Sequence, residues 1–156
     1  MNRKLTENER IVEAFPPKFQ FEPGKYYMQC AATKHFLALQ VKHLLLDNTQ
    51  KLFPTFTGLI KLLQNHDGST ALYSSLNNEQ LKVDSVGEIV TVSQEEKKAD
   101  NELEDFELFH AVDNAINQLI IRSIQTKKFV RVSESLRLCA DVVNPFYASK
   151  FILNSR

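Results

Sequence analysis

Short alternating runs of apolar and polar residues dominate the chain after about residue 25. The runs are rich in β-branched and aromatic side chains, and polar turn clusters such as residues 65–68 separate them. Strand-like runs that recur about every 8–12 residues predict an all-β sandwich or barrel. The clearest of them cover residues 26–28, 37–39, 71–73, 89–92, 106–109, 119–121, 129–132, 136–138 and 151–153.

The N-terminal part of the chain follows a different pattern. Thr6-x-x-Glu9 matches a capping box ahead of an apolar pair, and the pair of prolines that begins at Pro16 would end a helix. The pattern predicts a short helix over residues 6–15 inside an N-terminal arm, residues 1–24. Such an arm either closes one end of a barrel or contacts a partner.

Residues 52–63 contain many apolar side chains but do not favour a helix. Pro54 would interrupt the backbone hydrogen bonds of a helix, and Gly58 would lower its stability. We therefore expect a loop here, followed by a strand that ends at Leu62.

An internal repeat runs through the same strand-like segments. In three places an apolar residue is followed two positions later by a small one: Met28 and Cys30, Leu72 and Ser74, Ile121 and Ser123. Seven positions after the small residue stand Leu37, Leu81 and Val130, and nine positions after it stand Leu39, Val83 and Val132. Each unit ends in a further apolar alternation: Ile60-x-Leu62, Phe106-x-Leu108 and Phe151-x-Leu153.

The repeat divides the chain into three units, at about residues 25–68, 69–116 and 117–156. Each unit has the pattern of four strands, which cannot bury an apolar face alone. Three such units can close on one another and remove the open edges. Twelve strands in threefold pseudo-symmetry form a β-trefoil, so we predict an all-β fold with one β-trefoil domain over residues 25–156.

Three segments resemble the fascin-type trefoil repeat, in which an apolar-x-Ser strand leads through a turn to Gly-Lys-Tyr-Leu. Residues 119–132, Leu-Ile-Ile-Arg-Ser-Ile-Gln-Thr-Lys-Lys-Phe-Val-Arg-Val, carry the resemblance best, and residues 27–39 and 71–83 are weaker copies. Fascins crosslink actin filaments through basic surface residues spread over several trefoils. The resemblance therefore implies a cytoskeletal binding module, although bundling by a single trefoil would need a dimer or a second surface.

The chain departs from the fascin pattern at the turn glycine, which is replaced by Lys34, Glu79 and Lys127. Residues with a Cβ atom disfavour the positive φ angle that glycine adopts in such turns. We therefore expect the turn geometry to differ from that of the family or to be strained.

Charge is distributed unevenly along the chain, although its net value is zero. Residues 1–68 carry nine basic and six acidic side chains, residues 69–116 carry three and eleven, and residues 117–156 carry seven and two. Because trefoil units lie side by side around one axis, we expect one acidic and one basic side. The basic side would attract an actin filament, an anionic lipid headgroup or the acidic side of a second copy. The predicted contact residues are Arg122, Lys127, Lys128, Arg131, Arg137 and Lys150.

Carbohydrate binding is the alternative function. Ricin-type trefoil lectins carry Gln-x-Trp in each unit, and the absence of Trp here argues against that subfamily. Trefoil lectins without the motif remain open, because a sugar ring can stack on any exposed aromatic beside polar groups. The candidate aromatics are Tyr26, Tyr73, Phe129 and Tyr147, of which Phe129 falls at a core-like position.

No motif of a known catalytic or metal site occurs in the sequence, so we expect neither an enzyme nor a cofactor. The acidic stretch over residues 95–105 lacks the spacing of a calcium loop. His35 falls in a predicted turn, where a solvated side chain is the simplest expectation. Cys30 and Cys139 are expected to be buried small side chains rather than nucleophiles.

Composition narrows the class of protein further. Zero net charge argues against a general nucleic-acid binder, and no apolar run reaches the length of a membrane span. The polar start of the chain and its two cysteines favour a cytoplasmic protein. The sequence thus predicts a fascin-like, non-enzymatic binding module, with a carbohydrate-binding trefoil as the alternative.

Overall fold

The computed structural model describes residues 16–48, 56–93, 105–113 and 116–155. The predicted helix over residues 6–15 lies outside these ranges, as does most of the acidic stretch over residues 95–105. The described residues form twelve strands and two short 3-10 turns, Phe56–Gly58 and Pro145–Tyr147. In chain order the strands are β1 (Gly24–Cys30), β2 (Phe36–Gln40), β3 (His43–Asp47), β4 (Leu59–Gln64), β5 (Thr70–Ser74), β6 (Gln80–Val83), β7 (Ile89–Val92), β8 (Phe106–His110), β9 (Gln118–Ser123), β10 (Phe129–Val132), β11 (Leu138–Val142) and β12 (Phe151–Ser155).

Six of the strands form a closed antiparallel barrel. Strand β1 pairs with β4, β4 with β5, β5 with β8, β8 with β9, β9 with β12, and β12 with β1 again. Each barrel strand therefore has two neighbours, and the barrel exposes no unpaired edge of the kind that promotes aggregation. The other six strands form one hairpin per unit: β2–β3, β6–β7 and β10–β11. This arrangement is the predicted β-trefoil.

A ring of three backbone hydrogen bonds joins the three hairpins. In each bond, an amide in the second strand of one hairpin donates to a carbonyl in the turn of the neighbouring hairpin. The bonds run from Leu46 to Leu136 (2.7 Å), from Thr91 to Lys42 (2.9 Å) and from Ala140 to Gly87 (2.7 Å). The donors lie opposite Leu37, Leu81 and Val130, the residues seven positions after the small residue of each unit.

The repeat anchors form one hydrophobic core shared by the barrel and the hairpins. The small residue of each unit faces a large one across a strand pair: Cys30 faces Phe151, Ser74 faces Ile60, and Ser123 faces Phe106. All six are buried. A small side chain is needed at this position because its cross-strand partner fills the available volume.

One predicted strand is displaced along the chain. The pattern predicted a strand over residues 136–138, whereas β11 begins only at Leu138. Leu136 lies in the preceding turn, with a φ angle of 68°. Its apolar character reflects packing against the core rather than strand geometry.

The first turn of every unit has the same backbone shape. Lys34, Asn78 and Lys127 each stand four positions after the small residue and have φ angles of 68°, 57° and 60°. Their amides donate to the carbonyls of the three small residues at 2.8 Å. The resemblance to the fascin repeat assigned Glu79 to this position in unit two, but the structure places Asn78 there. Asparagine tolerates positive φ better than lysine does.

The described part of the N-terminal arm docks on the barrel beside β8. The amide of Phe19 donates to the carbonyl of Leu108 (2.8 Å), and the amide of His110 donates to the carbonyl of Pro17 (2.9 Å). Strand β5 reaches β8 at only one register pair, Thr70 with Phe106. Residues 17–19 therefore supply backbone hydrogen bonds to β8 beyond the point where its pairing with β5 ends.

Gly58 allows a close backbone approach that no other residue permits. A Cβ atom at this position would lie 2.0 Å from the carbonyl oxygen of Leu37. We expect Gly58→Ala to lower the free energy of unfolding by roughly 3 kcal/mol or more. Gly24→Ala is the matched control, because its Cβ would meet nothing closer than 4.0 Å. Urea denaturation of both variants tests this; equal stabilities would contradict the close approach.

Glycine at the strained lysine turns should stabilise the protein. We expect Lys34→Gly and Lys127→Gly each to raise the free energy of unfolding by about 0.5–1 kcal/mol, since glycine adopts positive φ without steric cost. Asn78→Gly should gain less. Lys128→Gly is the control, because it lies next to Lys127 but outside the positive-φ positions, and it should lose stability. Thermal melts that show a loss for Lys127→Gly would exclude strain at this turn.

Candidate functional site

Most of the basic residues predicted as a contact surface are engaged in ion pairs. Arg122 donates to Glu107 at 3.0 Å, and its guanidinium lies 6.0 Å from the ring centre of Phe129. Glu107 also accepts from Lys18 of the N-terminal arm at 2.7 Å. The side chain of Arg122 is only 17% exposed, so it contributes to the structure more than to a contact surface.

Three further basic residues are paired in the same way. Arg137 donates to Glu88 at 3.0 Å, and Lys150 donates to Asp113. Arg131 makes two hydrogen bonds to Asp141, at 2.7 and 2.9 Å, and this contact raises the pKa of Arg131.

These ion pairs modify the expectation of one acidic and one basic side. The partners of Arg122, Arg137 and Lys150 all belong to unit two, the acidic third of the chain. The opposite charges of units two and three therefore meet along their common boundary. Lys127 and Lys128 are different, since both are exposed and neither forms an ion pair within the part of the chain that the structure describes.

The four candidate sugar-stacking aromatics occupy very different positions. Phe129 is fully buried, as its core-like position predicted. Tyr26 and Tyr73 are half-buried in strands, and the hydroxyl of Tyr26 donates to the carbonyl of Glu22 at 2.5 Å. Tyr147 alone among the four is largely exposed, at 75%.

Tyr147 belongs to a well-anchored turn between β11 and β12, which we call the aromatic turn, residues 144–147. The Asn144 side chain accepts a hydrogen bond from the amide of Phe146 at 3.0 Å, and Pro145 is buried. The amide of Tyr147 donates to the carbonyl of Asn144, also at 3.0 Å. Phe146 is 63% exposed beside it. Sequence reasoning missed Phe146, although an Asn-Pro pair followed by two aromatics favours a turn that presents them.

A pocket of about 400 Å³, which we call the alanine pocket, adjoins the aromatic turn in sequence, because Ala148 lines it. It lies between the first turn of unit one and unit three, and the amide of Ala31 joins the two by donating to the carbonyl of Lys150 at 2.9 Å. Its volume falls within the range of small-molecule sites. Cys30, Ala31 and Ala32 line it on one side, and Gln118, Ala148, Ser149 and Lys150 line it on the other.

The cysteines offer no nucleophilic chemistry here. Cys30 is buried as predicted, whereas Cys139 is half-buried, which corrects the prediction for that residue. Burial raises the pKa of the Cys139 thiol and keeps it protonated. Among the described residues, no three metal-ligating side chains cluster, and no helix has the length and apolarity to cross a membrane.

Comparison with known proteins supports the fold but assigns the chain to no sequence family. No family model and no curated protein matches the chain. Among solved structures, a ricin B-like lectin from Macrolepiota procera in complex with lactose matches with a TM-score of 0.64 and 11% identity, over 88% of this chain and 100% of the other. SeviL bound to the asialo-GM1 saccharide matches with a TM-score of 0.63 and 13% identity, over 86% and 100%.

Two further matches have other described roles. A mosquitocidal holotoxin matches with a TM-score of 0.67 and 13% identity over 87% of this chain, which spans only 17% of the toxin chain. A proteinase inhibitor from Coprinopsis cinerea matches with a TM-score of 0.61 and 10% identity, over 88% and 100%. At such identities the likeness shows the fold alone. It supports a β-trefoil but gives no support to the fascin-like subfamily that the turn sequences resemble.

Proposed function

We propose that the protein is a non-enzymatic carbohydrate-binding module whose site combines the aromatic turn with the alanine pocket. The observation that carries this proposal is the exposure of Phe146 and Tyr147 on an anchored turn that leads directly into a polar-rimmed pocket. This conclusion replaces the fascin-like function as the first hypothesis.

The chemistry of the site suits a sugar. The apolar C–H face of a pyranose stacks on an aromatic ring, and its hydroxyls need donors and acceptors nearby. Tyr147 supplies the ring, while Gln118 and Lys150 line the pocket with polar groups, and Lys150 is paired with Asp113. Because the asparagine cap and the buried proline fix the turn, binding requires little ordering of the backbone.

The structural matches also favour carbohydrate binding. Two of the matched trefoils were solved with saccharides, lactose in one case and the asialo-GM1 saccharide in the other. The absence of Trp still separates this chain from the Gln-x-Trp pattern of ricin-type lectins. A tyrosine platform on the turn between β11 and β12 would take the place of that motif.

Removal of the platform should weaken binding without unfolding the protein. We expect Tyr147→Ala to weaken glycan affinity about tenfold, since loss of a stacked ring costs on the order of 1.5 kcal/mol. Its melting temperature should change little because the side chain is exposed. Val86→Ala is the matched control, an exposed apolar residue (73%) on a different turn.

The measurement is a glycan array followed by titration of the best ligand into each variant. Equal binding by wild type and Tyr147→Ala would exclude the aromatic turn as the site. No binding to any glycan by a folded wild type would exclude the function itself.

Actin binding is retained as a second candidate because Lys127 and Lys128 are exposed and form no ion pair in the described part of the chain. We expect salt-sensitive co-sedimentation with filaments, lost in the double variant Lys127→Glu, Lys128→Glu. Lys34→Glu is the control, since Lys34 occupies the equivalent turn position in unit one. No pelleting of wild type at low salt would eliminate this candidate.

A further inference from the structure

The walls of the alanine pocket suggest which sugar substituent it takes. We infer that the pocket accepts the 2-acetamido group of an N-acetylhexosamine whose ring stacks on the aromatic turn. This inference rests on the proposed function and specifies the substrate class of the same site. It follows from three features: methyl-lined walls, one amide side chain available for bonding, and a neutralised charge at the rim.

The walls present methyl groups, and several of their polar groups are already bonded within the protein. Ala31, Ala32 and Ala148 line the pocket together with the buried Cys30. The hydroxyl oxygen of Ser149 accepts from the amide of Val132 at 2.9 Å. Three lining amides are likewise taken, with Ala31 donating to Lys150, Ala148 to Pro145 and Ser149 to Val130. A ligand group that enters here meets a small apolar surface, which matches a methyl group.

Gln118 supplies a hydrogen-bonding partner for the amide part of the acetamido group. It lies at the start of β9 and lines the pocket, and its side-chain amide makes no hydrogen bond within the described part of the chain. A carboxamide offers both an acceptor and donors. It therefore complements the N–H and C=O of an acetamido group, whereas a hydroxyl at the same carbon would leave the alanine methyls uncovered.

The charge at the rim argues against an acidic substituent. Lys150 is the cation that lines the pocket, and its ammonium group is paired with Asp113. An anionic sugar such as glucuronic acid would have to compete with that carboxylate for the ammonium group. A neutral acetamido group leaves the ion pair intact.

The test compares matched sugars by NMR titration of the full chain: N-acetylglucosamine with glucose, and N-acetylgalactosamine with galactose. Covering one methyl and forming one amide hydrogen bond should make each N-acetyl sugar bind about tenfold more tightly than its partner. Glucuronic acid serves as the charged comparison and should bind no better than glucose.

A filled pocket should remove the preference. Ala32→Leu places a larger side chain in the pocket without changing the aromatic turn, and we expect it to reduce the tenfold preference to about onefold. Gln125→Leu is the matched control, since Gln125 occupies the same position two residues after Ser123 that Ala32 occupies after Cys30. That variant should keep the wild-type preference.

The outcomes distinguish a failure of this inference from a failure of the proposed function on which it rests. A tenfold preference that is lost in Ala32→Leu and kept in Gln125→Leu supports both. Equal binding of N-acetylated and plain sugars, or an unchanged preference in Ala32→Leu, overturns the acetamido pocket and leaves carbohydrate binding in place. No binding of any sugar overturns the proposed function and this inference together.

Discussion

The closure of three four-strand units on one another is the constraint on which the rest of the structure depends. No unit can bury its apolar face alone, and each hairpin relies on its neighbour for one backbone hydrogen bond of the ring. Because all three bonds run in the same sense around the axis, each hairpin turn is held against the next unit. Gly87 and Leu136, two turn residues whose carbonyls accept these bonds, both have positive φ angles although they lie outside the strands.

The candidate site is a product of that closure. Its two walls come from opposite ends of the described chain, and pairing of β1 with β12 brings them together. The hydrogen bond from Ala31 to Lys150 then fixes the distance between them. The aromatic turn adds local rigidity through Asn144 and Pro145. A site built in this way is formed before a ligand arrives, which reduces the entropic cost of binding.

The fold was predictable from the sequence because its repeat lies in buried positions, where spacing and side-chain size are both constrained. The offsets from Cys30, Ser74 and Ser123 identified the core and the three units. The turn residue of unit two was misassigned, since a positive φ angle is a backbone property that Asn78 and Glu79 do not reveal by apolar spacing. The pairing of Glu107 with Arg122 was also invisible, because charge counts by unit contain no information on which side chains meet across a boundary. Phe146 was missed because its exposure, rather than any periodicity, makes it a candidate for ligand contact.

The pairing of β1 with β12 has a consequence for how the protein folds during synthesis. Strand β1 emerges from the ribosome well before its partner β12, because ten other strands of the described chain lie between them. At typical rates of chain elongation this delay is on the order of ten seconds. During that interval one edge of β1 has no strand to bond with, and the apolar side chains of Met28 and Cys30 lack part of their cover. The nascent trefoil is therefore exposed to aggregation, and dependent on chaperones, in the interval before β12 is released.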